Sequence, residues 1–259
     1  MAAATSQAVR FRRGITLPIF LLIAWEVSSR SGLADPRFLP SLENVALTAK
    51  RELIDNNLFG DLAYSLMRNL AGFLIGSALG VGFATLLALS RIADRLVMPT
   101  FNAVKQISLL AWIPLISVWF GFGEQAKIVF VALAAFIPIV LNTYDGMRAA
   151  PADLLEVGRA LKFRPHQRAL RIYIPSAMPA IATGVHLGLI YSWLATVGAE
   201  YFLAVGPGIG GLVIAGRERF DMAMVMVGVF ILGLVGFSLN RLAYSLEAYL
   251  LRWRPRQVR

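Results

Sequence analysis

Residues 70–89 read LAGFLIGSALGVGFATLLAL, twenty positions without a charged side chain. Coiled as an α-helix, such a run is about 30 Å long, the thickness of the hydrocarbon core of a bilayer. Soluble α/β domains bury apolar strands of about 4–8 residues. The run therefore predicts a helix that crosses a membrane, and the rest of the chain repeats the pattern. Residues 106–122, 128–144, 174–199 and 222–240 contain no Asp, Glu, Lys or Arg, and each falls near the spanning length of about 17–25 residues. A shorter stretch, 14–27, carries Pro18 and meets Glu26 near its end.

That first stretch follows Arg10, Arg12 and Arg13, the basic head that a signal peptide would have. No small-x-small cleavage site follows in register, and Trp25 beside Glu26 suits a helix end at a membrane interface. It is read as a span. The expected fold is an all-α polytopic membrane protein of one domain over residues 1–259. Its six spans fall at about 14–29, 66–90, 103–122, 126–147, 176–200 and 221–250.

Composition agrees: 58% of residues are hydrophobic and 15% charged, against about a quarter charged in soluble domains. The net charge of +10 would suggest nucleic acid in a soluble protein. Here the basic residues sit in short segments between apolar runs, so membrane lipid is the expected partner and no nucleic acid is implied. Arg10, Arg12, Arg13, Arg91, Arg95, six basic residues over 148–171, Arg252, Arg254, Arg256 and Arg259 fall on one side. Arg30, Arg37, Lys50, Arg51, Lys127, Arg217 and Arg219 fall on the other, offset by acids such as Asp35, Glu43, Glu52, Asp55 and Asp61. The richer side is cytoplasmic, which places both termini inside. On the outer side, Pro36 and Pro40 punctuate an extended piece, and residues 45–58 alternate as an amphipathic surface helix would. There is no cysteine, and His166 and His186 are too few for a multi-histidine metal site.

The most informative segment is the basic loop 148–175. Pro151 suits a first helical position, Asp153 and Glu156 put acids where the helix dipole favours them, and Leu154, Val157 or Gly158, and Leu161 recur at helical spacing. Pro165 fits a second start, and Pro175 and Pro179 are expected to interrupt the second helix. A basic amphipathic helix of this kind serves lipid contact and protein docking equally well.

Residues 153–179, DLLEVGRALKFRPHQRALRIYIPSAMP, resemble the EAA loop of ABC importer permeases: Glu-Ala-Ala, three residues, Gly, and later Ile-x-Leu-Pro. AWIPLISVWFGFGEQAKIVFVAL (111–133), FIPIVLNTYDGMR (136–148) and FLPS (38–41) resemble permease subunits of nitrate, taurine and aliphatic-sulfonate importers. The resemblance implies a type I ABC importer permease fold in the bacterial inner membrane. It also implies a second copy of this chain, two ABC ATPase subunits that bind ATP and Mg, and a periplasmic substrate-binding protein. Coupling to the ATPase would then rest on Asp153, Leu154, Glu156, Val157, Gly158, Arg159, Leu161, Lys162 and Pro175, with Glu156 at the position of the motif's Glu and Gly158 at that of its second Ala.

Two departures stand out: Lys162 occupies the position of the motif's Gly, which puts the turn in doubt, and Ser108 stands where many relatives carry Pro, which puts a kink in doubt. No G-x-x-x-x-G-K-[ST] phosphate loop occurs, so the chain is expected to hold no cofactor and to be no enzyme. Polar groups in the spans, Ser108, Trp112, Asn142, His186, Ser192, Trp193, Thr196 and Glu200, are candidates to line a path, though such groups also bond helix to helix. Gly72, Gly76 and Gly80, then Gly184 and Gly188, follow small-x-x-x-small spacing and predict close helix packing. A secondary transporter or channel without an ATPase is the alternative, disfavoured by the lack of visible repeats and the few buried carboxylates. An intramembrane enzyme would need a constellation that is not present.

Overall fold

A computed structural model describes residues 2–33, 35, 37–203 and 206–252, with side chains from residue 16 onward except those of Asp55 and Leu250. The side chains of Arg10, Arg12, Arg13, Pro36, Arg254, Arg256 and Arg259 lie outside the described set. The helices are α1 (Ala2–Arg30), α2 (Leu42–Asp55), α3 (Leu58–Leu89), α4 (Arg91–Val104), α5 (Ile113–Phe120), α6 (Glu124–Arg148), α7 (Ala152–Ala160), α8 (Pro165–Arg168), α9 (Ile174–Phe202), α10 (Ile209–Glu218) and α11 (Met222–Leu250). A 3₁₀ turn, Leu109–Trp112, leads into α5, and a π turn, Ala169–Tyr173, leads into α9.

Among the described residues, four stretches are long and apolar enough to cross a membrane: Leu58–Leu89, Glu124–Arg148, Pro165–Phe202 and Met222–Tyr249. The expected span at 103–122 is not one helix. Arg91–Val104 and Leu109–Phe120 meet at 97°, because Ser108 takes an extended backbone (ψ 134°) before the 3₁₀ turn. The kink forms without proline. Pro175 and Pro179 do not interrupt the second loop helix either, which continues unbroken into α9. The π turn accounts for part of this: the Ile174 N–H bonds to Ala169 O five residues back, and Pro175 sits in the first turn, where its missing N–H costs nothing. Residues 14–29 form the second half of α1. The outer amphipathic helix starts and ends three residues earlier than expected, since Ser41 caps it by accepting Asn44 N–H (3.3 Å) and Asn57, at φ 49°, turns the chain into α3.

The helices group into two compact units, 1–59 with 212–231 and 60–211 with 232–259, whose boundaries fall inside α3, α10 and α11. In the first, residues 39–42 lie against α1. Trp25 Nε1 donates to Pro40 O (2.8 Å), Ser29 Oγ to Leu39 O (2.9 Å), and Glu26 accepts the Leu42 N–H (2.8 Å). Trp25 also stacks on Phe230. Arg51 pairs with Asp221 at 3.3 Å.

The second unit is built on the α6–α9 pair. A Cβ on Gly184 would stand 2.8 Å from Asn142 Cβ, one on Gly188 2.7 Å from Ile139, and one on Gly146 2.5 Å from Ala180, so backbones approach where side chains would forbid it. On α3, Gly72, Gly76 and Gly80 press on α6 in the same way, while Leu70, Leu74, Leu79 and Leu86 of the same helix stay exposed. Near the start of the basic loop, Asp94 of α4 accepts from Tyr144 Oη (2.6 Å) and Arg148 (3.1 Å) of α6.

Candidate functional site

The loop between α6 and α9 is a helix, a tight turn and a second helix. α7 has Asp153 in its first turn and Arg159 in its last, both on the favourable side of the helix dipole. It packs inward through Gly158, whose missing Cβ would lie 2.5 Å from Ile172 Cδ1, so the small residue admits the loop's own second half. The turn at Lys162 is left-handed (φ 50°). Lys162 N–H bonds to Arg159 O and Phe163 N–H to Gly158 O, both at 2.9 Å, the paired closure that commonly ends a helix on glycine. Lys162 thus adopts the conformation for which its glycine counterpart is suited. Arg171 then lies over the Phe163 ring, 5.4 Å from its centroid, and Gln167 Oε1 accepts the Arg164 N–H (2.8 Å). Replacing Lys162 by Gly is expected to relieve about 1 kcal/mol of left-handed strain, measured as slower hydrogen exchange at residues 162 and 163.

Leu154 and Val157 of α7 and Leu161, the residue that follows it, are 46%, 55% and 61% exposed. At spacings of three and four they form one half-exposed apolar stripe, with Asp153, Glu156, Arg159 and Lys162 exposed around it. Pro175 is exposed at the start of α9. Beside the stripe lies a cleft of about 810 Å³ lined by Asn142, Pro151, Leu154, Arg171, Pro175 and Thr183.

A second polar centre lies at the opposite end of α6 and α9. Arg68 of α3, with its side chain 1% exposed, donates through Nε and Nη2 to both oxygens of Glu124 (2.8 and 2.7 Å). It also pairs with Glu200 of α9 and reaches Pro207 O (3.1 Å). Ser65 Oγ donates to Glu200 (2.6 Å), and Lys127 lies 3.4 Å from Glu124. Three successive N–H groups of the following loop complete the centre: Gly208 to Asp61 (3.2 Å), Ile209 to Ser65 (3.0 Å) and Gly210 to Glu200 (2.7 Å). Glycine is required there, since a Cβ on residue 208 or 210 would lie 2.7 or 2.4 Å from atoms of Glu200.

Of the candidate path residues, the structure brings Ser192, Thr196 and Glu200 together and places the others at separate contacts. Ser192 and Thr196 both accept from Asn69 of α3 (3.0 and 3.2 Å) and, with Glu200, form a buried seam between α3 and α9. Trp193 Nε1 donates to Leu232 O (3.1 Å). His186 lies between Glu247 (2.7 Å) and Asn240 (2.9 Å), and Asn142 bonds back to Pro138 O (2.8 Å) on its own helix. Ser108 is exposed at the bend, and Trp112 packs on the Ile116–Phe130 core cluster. Sequence reasoning missed Ser65, Arg68 and Asn69. Their signal was present: they continue, one and two turns earlier, the face marked by Gly72, Gly76 and Gly80. Among the described residues no group of three His, Asp or Glu is placed to hold a metal ion.

The chain is 34% identical over 242 residues to SsuC of Bacillus subtilis strain 168, named as an aliphatic sulfonates transport permease, covering 93% of this chain and 87% of that one. It is 30% identical to the bicarbonate transport system permease protein CmpB of Synechococcus elongatus, covering 92% and 90%. Its fold is similar to a chain of the MetNI methionine ABC transporter in inward-facing conformations, with a TM-score of 0.55 at 20% identity over 70% of this chain and 92% of that one. With residues 58–254 matching the family as a whole, the chain belongs to the binding-protein-dependent transport system inner membrane components.

Proposed function

We propose that this chain is the membrane subunit of an ATP-driven importer for a small anion of the sulfonate, taurine, nitrate or bicarbonate type. Two copies form the path, and two ATPase subunits dock on the basic loop, binding the ATP and Mg that the permease itself does not hold. A periplasmic binding protein delivers substrate to the opposite side. Six spans, counting α1 and the bent α4–α5 pair as one each, put both termini and the loop in the cytoplasm, where the richer share of Lys and Arg belongs.

The observation that carries this reading is the stripe of Leu154, Val157 and Leu161 on α7. An exposed apolar helix face bordered by charges suits a groove in another protein. In that groove Glu156 and Arg159 flank the anchors, Gly158 keeps α7 seated on the loop's second half, and Lys162 and Pro175 set the angle at which the loop meets the spans.

The test is purification of the tagged chain from native membranes. An ATPase with a phosphate-binding loop is expected to accompany it, and a binding protein is expected to raise hydrolysis. A chain that alone catalyses ion-coupled uptake would sink the importer reading in favour of a secondary carrier.

A further inference from the structure

α6 and α9 are joined at both ends. At one end they are linked by the basic loop, which leaves α6 at Arg148 and enters α9 at Ile174. Along their length three glycines bring the backbones together at positions 146, 184 and 188. At the far end the first residue of α6, Glu124, and a residue near the end of α9, Glu200, are gripped by the same guanidinium. The 25 residues of α6 put these two ends about 37 Å apart.

Arg68 is what makes the far end rigid. A bidentate pair fixes orientation as well as distance, and Arg68 holds the carboxylates of two helices and a loop carbonyl at once. Glu200 is sealed in, with its side chain 2% exposed, whereas Glu124 is 50% exposed. The cluster therefore has a permanent half around Glu200 and a half open to solvent at Glu124.

We propose that Arg68 is a positioning residue for transport: by clamping Glu124 to Glu200 it makes α6 and α9 one lever, so that a displacement of the basic loop is delivered at the opposite mouth instead of being lost in sliding between the helices. This rests on the importer reading above. Packed helices transmit motion only where their relative position is bistable or fixed, and the glycine contacts, being apolar and smooth, resist separation better than they resist sliding.

The chain has no cysteine, which permits site-directed spin labels without background. Labels placed singly at exposed Met178, near the loop end of α9, or at exposed Phe202, at its far end, report distances between the two copies by electron–electron double resonance. The sample is the permease with its copurified ATPase, with and without ATP and vanadate. In the wild type both distances change. In Arg68→Lys, which keeps the charge but not the fork, and in the milder Glu124→Gln, the loop-end change persists. The far-end population shift falls roughly two- to thirtyfold, the range of coupling carried by such networks. Gly211→Ala, whose Cβ would meet only Gly206 O at 3.9 Å among the described residues, behaves as wild type.

A purely structural role for Arg68 would weaken both signals together, and that result, like an unchanged far-end shift in both variants, overturns the lever. A wild-type chain that captures no ATPase overturns the importer reading and the lever with it.

Discussion

Val157→Glu is expected to release the ATPase from the permease while leaving the permease folded in the membrane. Val157 is 55% exposed in the α7 stripe, so in the uncomplexed chain a carboxylate there keeps access to water. In a complex it would be driven into an apolar groove without a partner. Central anchors of such interfaces contribute about 2 kcal/mol or more when truncated, and burying an unpaired charge adds to that. The ATPase recovered with the tagged permease at fixed detergent and salt should fall by about thirtyfold or more. Gly158→Trp should give the same loss by another route, since its ring would occupy the place of Ile172 and prise α7 from its support. Retention of the ATPase by both variants would mean that α7 is not the docking element.

The second large effect concerns the bundle itself. Gly76→Leu is expected to destabilise the protein severely, because a Cβ at position 76 would lie 2.3 Å from Ala132 O, a backbone atom that cannot rotate aside. Even alanine must push α3 and α6 apart, at about 1–3 kcal/mol. Leucine also forfeits the contacts of the neighbouring turns at Gly72 and Gly80. A Cβ on Gly82, two residues from Gly80 on the same helix, would meet no other described part of the chain within 4 Å, and Gly82→Ala should be neutral or gain up to about 1 kcal/mol of helix propensity. Thermal unfolding in detergent, followed by circular dichroism, checks the pair, and equal midpoints would show that the glycine stripe is not the packing face.

Much of the architecture was legible because lipid imposes a simple rule: charge-free runs near helix-spanning length become helices, and small residues at every fourth position become contacts. Residues 70–89 and the glycine stripe followed it. The 103–122 run did not, because an apolar run says nothing of bends, and the extended backbone at Ser108 has no marker as visible as proline. The loop helices were readable from Pro151, Asp153 and Pro165, whereas the left-handed turn could not be read through Lys162, a residue that pays a conformational penalty glycine avoids. Arg68 escaped notice for another reason. Its place on the glycine face, one turn before Gly72, was visible, but nothing local announces that its partners lie on two helices far along the chain.

That separation bears on how the protein is made. Glu124 follows Arg68 by 56 residues and Glu200 by 132. At synthesis rates of about 5–20 residues per second, the guanidinium waits roughly 7 to 26 seconds for its last carboxylate. Through that interval α3 carries a cation whose place in the finished bundle does not yet exist, with only Glu124 available once α6 emerges. Arrival of α9 therefore completes the ion pairs of Arg68, and a chain cut short before residue 200 is expected to hold that guanidinium against Glu124 without its second carboxylate.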